Sequence, residues 1–242
     1  MPSADPLLLA IDTANLTASV ALMQGTHCLH LCHDPTPSKQ AERLFPLVSA
    51  LFSATGYGYT ALQAIGVSIG PGSFTGIRIG MAAARGIALA AHLPVIGVTT
   101  LEAAAYTAKD GVHPVYAILD ARRGQYYAQP FDATLTPLAE AILAGPEALV
   151  LPIGDTPFIL TGSGAMAARE TARQQGKRFL DAEGTANPET IATAIGAVAA
   201  SRLASGIMPA LPRPFYIRPP DASPGKNRNP IKERYDAPDR TS

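Results

Sequence analysis

Residues 70–80, Gly-Pro-Gly-Ser-Phe-Thr-Gly-Ile-Arg-Ile-Gly, restrict the possible folds more than any other stretch of the chain. The apolar run Ile65 to Ile69 before them reads as a short buried strand. Gly70-Pro71-Gly72 forces a turn, and Ser73 is placed to cap a helix that continues through small apolar residues to Ala91. A strand, a tight loop and a helix start can hold an anion, because glycines admit close approach to the main chain and a helix N-terminus carries partial positive charge. The loop has no Lys, however, and the Gly-Lys followed by Ser or Thr that closes a P-loop is absent. The same junction can serve simply to aim the helix.

Along that helix Gly76, Gly80, Ala84 and Ala88 recur every four residues, and Ala83, Ile87 and Ala91 widen the stripe. Side-chain bulk sets the spacing between packed helices, so a face this flat admits an unusually close neighbour. Gly80 and Gly86 inside a helix cost up to about 1 kcal/mol each relative to alanine, and packing must compensate. Either the chain's own sheet or a partner helix can supply that packing. Under the second reading the interface comprises Gly76, Ile77, Gly80, Ala83, Ala84, Ile87 and Ala88. Arg78 and Arg85, on the same helix, are then placed to pair with acidic groups of a neighbouring subunit.

At 242 residues the chain suits one large domain or two small ones, and 47% apolar residues suffice for a substantial core. Nineteen basic residues balance 19 acidic ones, which excludes the global positive charge that drives sequence-independent RNA binding. Cys28 and Cys32 are the only cysteines, and no N-terminal stretch combines basic residues, an apolar run and a cleavage site, so a reducing cytoplasm is expected. The most apolar region, Gly86 to Val98, is interrupted by His92 and Pro94 and falls short of the roughly 20 residues that span a bilayer, so no membrane partner is expected.

Leu7 to Asp12, Thr17 to Gln24 and His27 to His33 read as three strands of an antiparallel meander. A helix from Ser38, bent at Pro46, leads to the loop Gly56-Tyr57-Gly58-Tyr59. The strand at Ile65, the glycine-rich helix, a strand at Val95 to Val98 and a helix from Thr100 to Ala108 follow. The pattern then restarts more briefly. Val115 to Asp120 and Gln125 to Phe131 form a hairpin around Arg122-Arg123-Gly124, followed by a helical stretch near Ala139 to Val150, a strand Phe158 to Thr161 and a helix Ala165 to Gln175. A long helix Pro188 to Ser205, capped by Asn187, completes it. Two related mixed sheets flanked by helices make a duplicated α/β fold. The boundaries are 1–108 for the first lobe, 109–186 for a smaller second lobe, 187–222 for a helix and extended segment that pack back on the lobes, and 223–242 for a proline-rich, disordered tail whose basic residues either touch RNA directly or keep it solvated.

Two chemical readings weaken on inspection. In His27-Cys28-Leu29-His30-Leu31-Cys32-His33 a regular strand puts Cys28, His30 and Cys32 on one face, with successive Cα atoms about 6.7 Å apart, a row that cannot close a tetrahedron around zinc. Ser73 lacks the Gly-x-Ser-x-Gly of a nucleophile elbow, since Pro71 and Thr75 stand two residues before and after it. Arg122-Arg123, with Asp120 before them, can bind an anionic partner or remain solvated.

Residues Gly70 to Gly80 resemble the signature of the TsaB (YeaZ) family. So do Leu8-Leu9-Ala10-Ile11-Asp12-Thr13, Val98-Thr99-Thr100-Leu101-Glu102-Ala103, Leu119-Asp120-Ala121-Arg122-Arg123-Gly124-Gln125-Tyr126-Tyr127 and Pro214-Phe215-Tyr216-Ile217-Arg218, so that the likeness spans Leu7 to about Asp221. The resemblance implies two lobes of the actin and Hsp70 (RNase H-like) type, the second reduced. It implies a non-catalytic subunit that binds and activates the catalytic TsaD and recruits the ATPase TsaE in bacterial synthesis of threonylcarbamoyladenosine in tRNA, forms a homodimer when alone, and meets tRNA mainly through the complex. In that fold Asp12-Thr13 marks the first phosphate turn, where ATP-using members have a glycine after the acid; Ala14 and Asn15 stand here instead. The phosphate candidates are therefore Asp12, Thr13, Gly72 and Ser73, with no cofactor expected on this chain and ATP or ADP only at a subunit junction. TsaD carries a His-x-x-x-His metal pair on its early helix, whereas Lys39 to Pro46 here contains no histidine, so no metal and no catalytic residue are expected. The rival reading is an autonomous actin-like enzyme of the ATPase, kinase or peptidase type.

Overall fold

The computed structural model describes residues 5–149, 156–182, 190–206 and 211–218. β1 (Leu7–Asp12) is an unbroken apolar run ending in an acid, and all six residues are buried. Such a run has no solvent face, so it suits only the middle of a sheet covered on both sides. It lies between β2 (Ala18–Gln24), antiparallel, and β4 (Ala64–Ser68), parallel, with Leu9 opposite both Leu22 and Ile65. β3 (His27–Asp34) and β5 (Val95–Val98) complete the order β3-β2-β1-β4-β5.

One face of this sheet packs on α1 (Gln40–Thr55) and α2 (Phe74–Ala91); Leu44, Val48 and Leu51 meet Ile77, Met81 and Ala84 over Leu9, Ile11 and Ile65. The other face packs on α5 (Ile191–Ala204), whose small residues let it lie close: a Cβ on Gly66 would stand 3.0 Å from that of Ala199. Asn187 and Pro188, read as the cap and first residue of α5, lie outside the described residues, as do 223–242; α5 begins at Ile191. α2 is 18 residues long with mean hydropathy 1.2, enough to cross a bilayer on those measures alone. Its buried residues, Gly76, Ile77, Gly80, Met81, Ala84, Ile87 and Ala88, face the chain's own core instead.

α3 (Thr100–Ala108) leads to the second lobe and opens with a capping box. The Thr99 hydroxyl accepts the Glu102 N–H at 3.0 Å, and the Glu102 carboxylate accepts the Thr99 N–H at 2.8 Å. β6 (Val115–Asp120), β7 (Tyr126–Phe131), β8 (Ile142–Ala144), β9 (Phe158–Thr161) and β10 (Phe179–Asp181) form a sheet of order β10-β9-β6-β7-β8. Three antiparallel strands followed by two parallel ones repeat the first sheet, and α4 (Ala165–Gln174) occupies the place of α2. The reduction of the second lobe shows in its three-residue β8 and β10 and in the counterpart of α1. A helix was expected near Ala139 to Val150; β8 and a single 3-10 turn, Pro146–Ala148, stand there. Gly145 and Pro146 interrupt that apolar stretch, and the pairing of Tyr127 with Leu143 on β7 recruits it as a strand.

The His/Cys-rich β3 is not a regular strand. Its register against β2 slips between Leu22 and Met23, so that Leu22 faces His30 and Met23 faces Cys28, leaving Leu29 as the extra residue. The bulge reverses the alternation: Leu29 and Cys32 pack toward α1, whereas Cys28 and Leu31 pack toward α5. The expectation that Cys28, His30 and Cys32 share one face is thus corrected.

Candidate functional site

Two surfaces concentrate the residues singled out by sequence: a cleft of about 810 Å³ between the lobes, and the face of α2. Asp12, Thr13, Gly72 and Ser73 all stand at or behind the first-lobe wall of the cleft, but their polar groups serve the protein itself. Asp12 is 1% exposed and accepts the Ala14 N–H at 3.0 Å and the Asn15 Nδ2 at 2.6 Å. Burial pushes its carboxyl above the ordinary 3.8, while bonds from Asn15, Ser68 and Ala14 oppose that rise. The Thr13 hydroxyl donates to the Gly76 carbonyl at 2.7 Å.

The glycine loop is docked onto the first turn. The Ser73 N–H donates to the Ala14 carbonyl at 2.8 Å, and a Cβ on Gly72 would overlap that same carbonyl. The Ser73 hydroxyl accepts the Gly76 N–H at 3.1 Å, as an N-cap does. A phosphate in this place would have to displace main chain already hydrogen-bonded to main chain. Gln40, on the helix that lacks histidines, is buried and donates through Nε2 to the carbonyls of Asn15 and Leu16 at 2.9 and 3.0 Å, so it too braces the turn.

The second-lobe wall holds Arg122 and Arg123, both with left-handed backbone, φ 63° and 56°. Their turn is closed by the Asp120 carboxylate, which accepts the Arg122 N–H at 2.7 Å. Across the floor run Phe215, Tyr216, Ile217 and Arg218. The Phe215 N–H donates to Ile69 O at 2.8 Å, and Arg218 donates to Ala121 O at 2.8 Å and Gln125 Oε1 at 2.6 Å.

On α2 the predicted partner face turns inward. A Cβ on Gly76 would overlap Thr13 O, and one on Gly80 would overlap Thr13 Oγ1. Gly76, Ile77, Gly80, Ala84, Ile87 and Ala88 are buried in the chain's own core, Gly76 and Gly80 against the first turn, and of the predicted apolar set only Ala83 is partly exposed. Arg78 and Arg85 are exposed, but their first partners lie within the chain: Arg78 Nε donates to Tyr216 Oη at 3.1 Å, and Arg85 Nη2 to Pro212 O at 2.5 Å.

A second small-residue stripe, Ala82, Gly86 and Ala90, escaped the sequence reading although its four-residue spacing is equally regular. It faces outward. Among the described residues a Cβ on Gly86 would meet nothing within 4 Å. With Ile79 and Ala83 it forms one wall of an apolar groove of about 950 Å³, whose other wall is Ala41, Leu44 and Phe45 of α1, with Tyr59 and Leu62 at the end. Phe45 is 53% and Tyr59 41% exposed, large apolar surfaces left beside a flat helix.

Residues 36–221 match the family model described as TsaD: tRNA N6-adenosine threonylcarbamoyltransferase. Half of the chain, 125 residues, is 44% identical to the tRNA threonylcarbamoyladenosine biosynthesis protein TsaB of Escherichia coli, covering 52% of that protein. A Pseudomonas aeruginosa structure described as similar to peptidase YEAZ superposes with a TM-score of 0.75 at 26% identity, over 88% of this chain and 100% of that one. The chain belongs to the TsaD family, on its TsaB (YeaZ) branch. It spans about half the length of the curated relatives it matches. A hexokinase of the ROK type from Thermus thermophilus shares the fold at TM-score 0.55 and 14% identity, over 83% of this chain and all of that one, in keeping with the actin and Hsp70 type of duplicated lobes.

Within the family the five stretches that carried the resemblance fall at structural junctions. Leu8 to Thr13 and Gly70 to Gly80 interlock through Thr13, Ala14 and Ser73; Val98 to Ala103 contains the capping box of α3; Leu119 to Tyr127 and Pro214 to Arg218 meet through Arg218.

Proposed function

We propose that this chain is a non-catalytic scaffold subunit of a tRNA N6-adenosine threonylcarbamoyltransferase assembly. It docks the outward face of α2 onto a TsaD-like catalytic subunit and holds that subunit in its working conformation. The same face joins two copies of the chain when no partner is present, and the pair formed with the partner receives a TsaE-like ATPase. Contact with tRNA comes mainly through the complex, in the cytoplasm. The names of the relatives support the pathway, and the observation that carries the reading is Gly86. A glycine in the middle of a helix costs about 1 kcal/mol relative to alanine, and among the described residues nothing lies within 4 Å of where its Cβ would stand. A partner helix lying across Ala82, Gly86 and Ala90 supplies the missing packing, with Phe45 and Tyr59 as apolar anchors at its side.

Co-purification with a TsaD-like protein tests the reading through Gly86→Leu and Ala82→Glu. Both sites are exposed, so the variants fold, and both are expected to lose the partner. Retained binding by both would exclude this face. Substitutions at Gly80 or Ala84 cannot serve, because they disturb the core.

The cleft of about 810 Å³ is what favours the rival reading, an autonomous ATPase. The engagement of the Ser73 N–H, the Thr13 hydroxyl and the Asp12 carboxylate within the chain argues against it. Calorimetry of the isolated chain with ATP and magnesium separates the two: no heat of binding is expected, and binding with turnover would replace the scaffold reading by the enzymatic one.

A further inference from the structure

Residues 211–218 cross from one lobe to the other and touch both candidate surfaces. On the first lobe Pro212 O accepts from Arg85, the Phe215 N–H bonds Ile69 O, and the Tyr216 ring lies 5.0 Å from that of Phe74 while its hydroxyl accepts from Arg78. Two glycines make room for this path: a Cβ on Gly97 would stand 2.7 Å from Pro212 Cβ, and one on Gly70 2.8 Å from Phe215 O. On the second lobe Ile217 joins the apolar cluster of Leu101 and Tyr127, and Arg218 grips the β6–β7 turn at Ala121 and Gln125.

The two ends are held differently. Arg218 is partly buried in its grip, whereas Arg78 and Arg85 are exposed along the edge of α2 beside its outward face, and each bonds an uncharged oxygen, a phenol or a peptide carbonyl. A guanidinium bonded to a neutral oxygen is already charge-assisted, but a carboxylate can take it through two parallel N–H bonds at once, which adds energy and fixes geometry. A carboxylate brought alongside α2 can therefore compete with Tyr216 Oη and Pro212 O for these guanidiniums.

We propose that residues 211–218 are a clasp that couples the two surfaces: carboxylates on a partner docked against α2 take Arg78 and Arg85, the clasp loosens from the first lobe, and the cleft opens as the second lobe follows Arg218. The coupling at α2 rests on the docking reading above; the mechanical link between the lobes does not.

Hydrogen exchange of the amides in residues 119–127 reads the clasp in the isolated chain. Arg78→Gln with Arg85→Gln, both changes confined to the first lobe, is expected to speed exchange in that second-lobe hairpin by about fivefold, the equivalent of one net hydrogen bond. Arg218→Gln is expected to do the same from the other end, and adding it to the double variant should bring little further change. An unchanged hairpin in the double variant overturns the clasp whether or not a partner docks. Adding a TsaD-like protein to the wild-type chain is expected to reproduce the faster exchange. Binding without any change in residues 119–127 overturns the coupling while leaving docking intact, and failure to bind at all removes docking while the isolated-chain result still decides the link between the lobes.

Discussion

The hydroxyl of Thr13 stands too close to Gly80 for a β-carbon to fit between them, and it donates from there to the carbonyl of Gly76. The glycines of α2 therefore admit a threonine of the chain's own first turn. Gly80→Ala must either expel the Thr13 side chain, with loss of a buried hydrogen bond, or push α2 off the sheet. Overpacking of this kind costs roughly 1–3 kcal/mol, and urea denaturation should show the midpoint falling accordingly.

Gly86, six residues along the same helix, should respond in the opposite sense. Among the described residues nothing lies within 4 Å of its missing β-carbon, so Gly86→Ala is expected to stabilise the isolated chain by about 0.5–1 kcal/mol through helix propensity. Thermal unfolding of the two alanine variants side by side checks this. A fall in the melting temperature for Gly86→Ala would mean that the outward face is not open.

Glu102 has two duties: it closes the capping box with Thr99, and it forms an ion pair with Arg202 of α5, which also bonds Gly97 O at 2.5 Å. Glu102→Gln keeps the cap geometry but removes the charge facing Arg202, whereas Glu102→Ala removes both. The expected order of stability is wild type, then Gln, then Ala, with the alanine variant lower by about 1–2 kcal/mol, mostly from the cap because the pair is partly exposed. Chemical denaturation at neutral pH measures it, and an alanine variant as stable as wild type would deny both roles.

Asp12 predicts a pH dependence. Burial raises its carboxyl above the ordinary 3.8 in the folded chain, so the folded state binds this proton more tightly than the unfolded state does. The stability it contributes is fully present below 3.8 and is lost as pH rises through the folded value. Asp12→Asn abolishes the titration. The stability of the variant relative to wild type should therefore rise between acidic and neutral pH, read as the difference between their urea midpoints; a flat or falling difference would show that the carboxylate is stabilised rather than penalised by its site.

Much of the architecture is set by local order along the chain. β1, β2 and β4 to β7 declare themselves by largely apolar runs between turn residues, Ser73 and Thr99 are caps that their own helices dictate, and the recurrence of the strand order announces the duplication. The departures occur where a non-local contact outweighs local preference: β8 replaces a helix because β7 offers it an open edge, and the bulge at Leu29 moves Cys28 to the other face of β3. The candidate site divides along the same line. The small residues of α2 are visible in the sequence on two sides of the helix, but spacing carries no record of which side meets the core. Only the folded chain, by placing Thr13 against Gly76 and Gly80 and, among the described residues, nothing against Gly86, decides which stripe stays exposed. Contacts between residues more than 60 positions apart make that choice, and the periodicity of one helix cannot encode them.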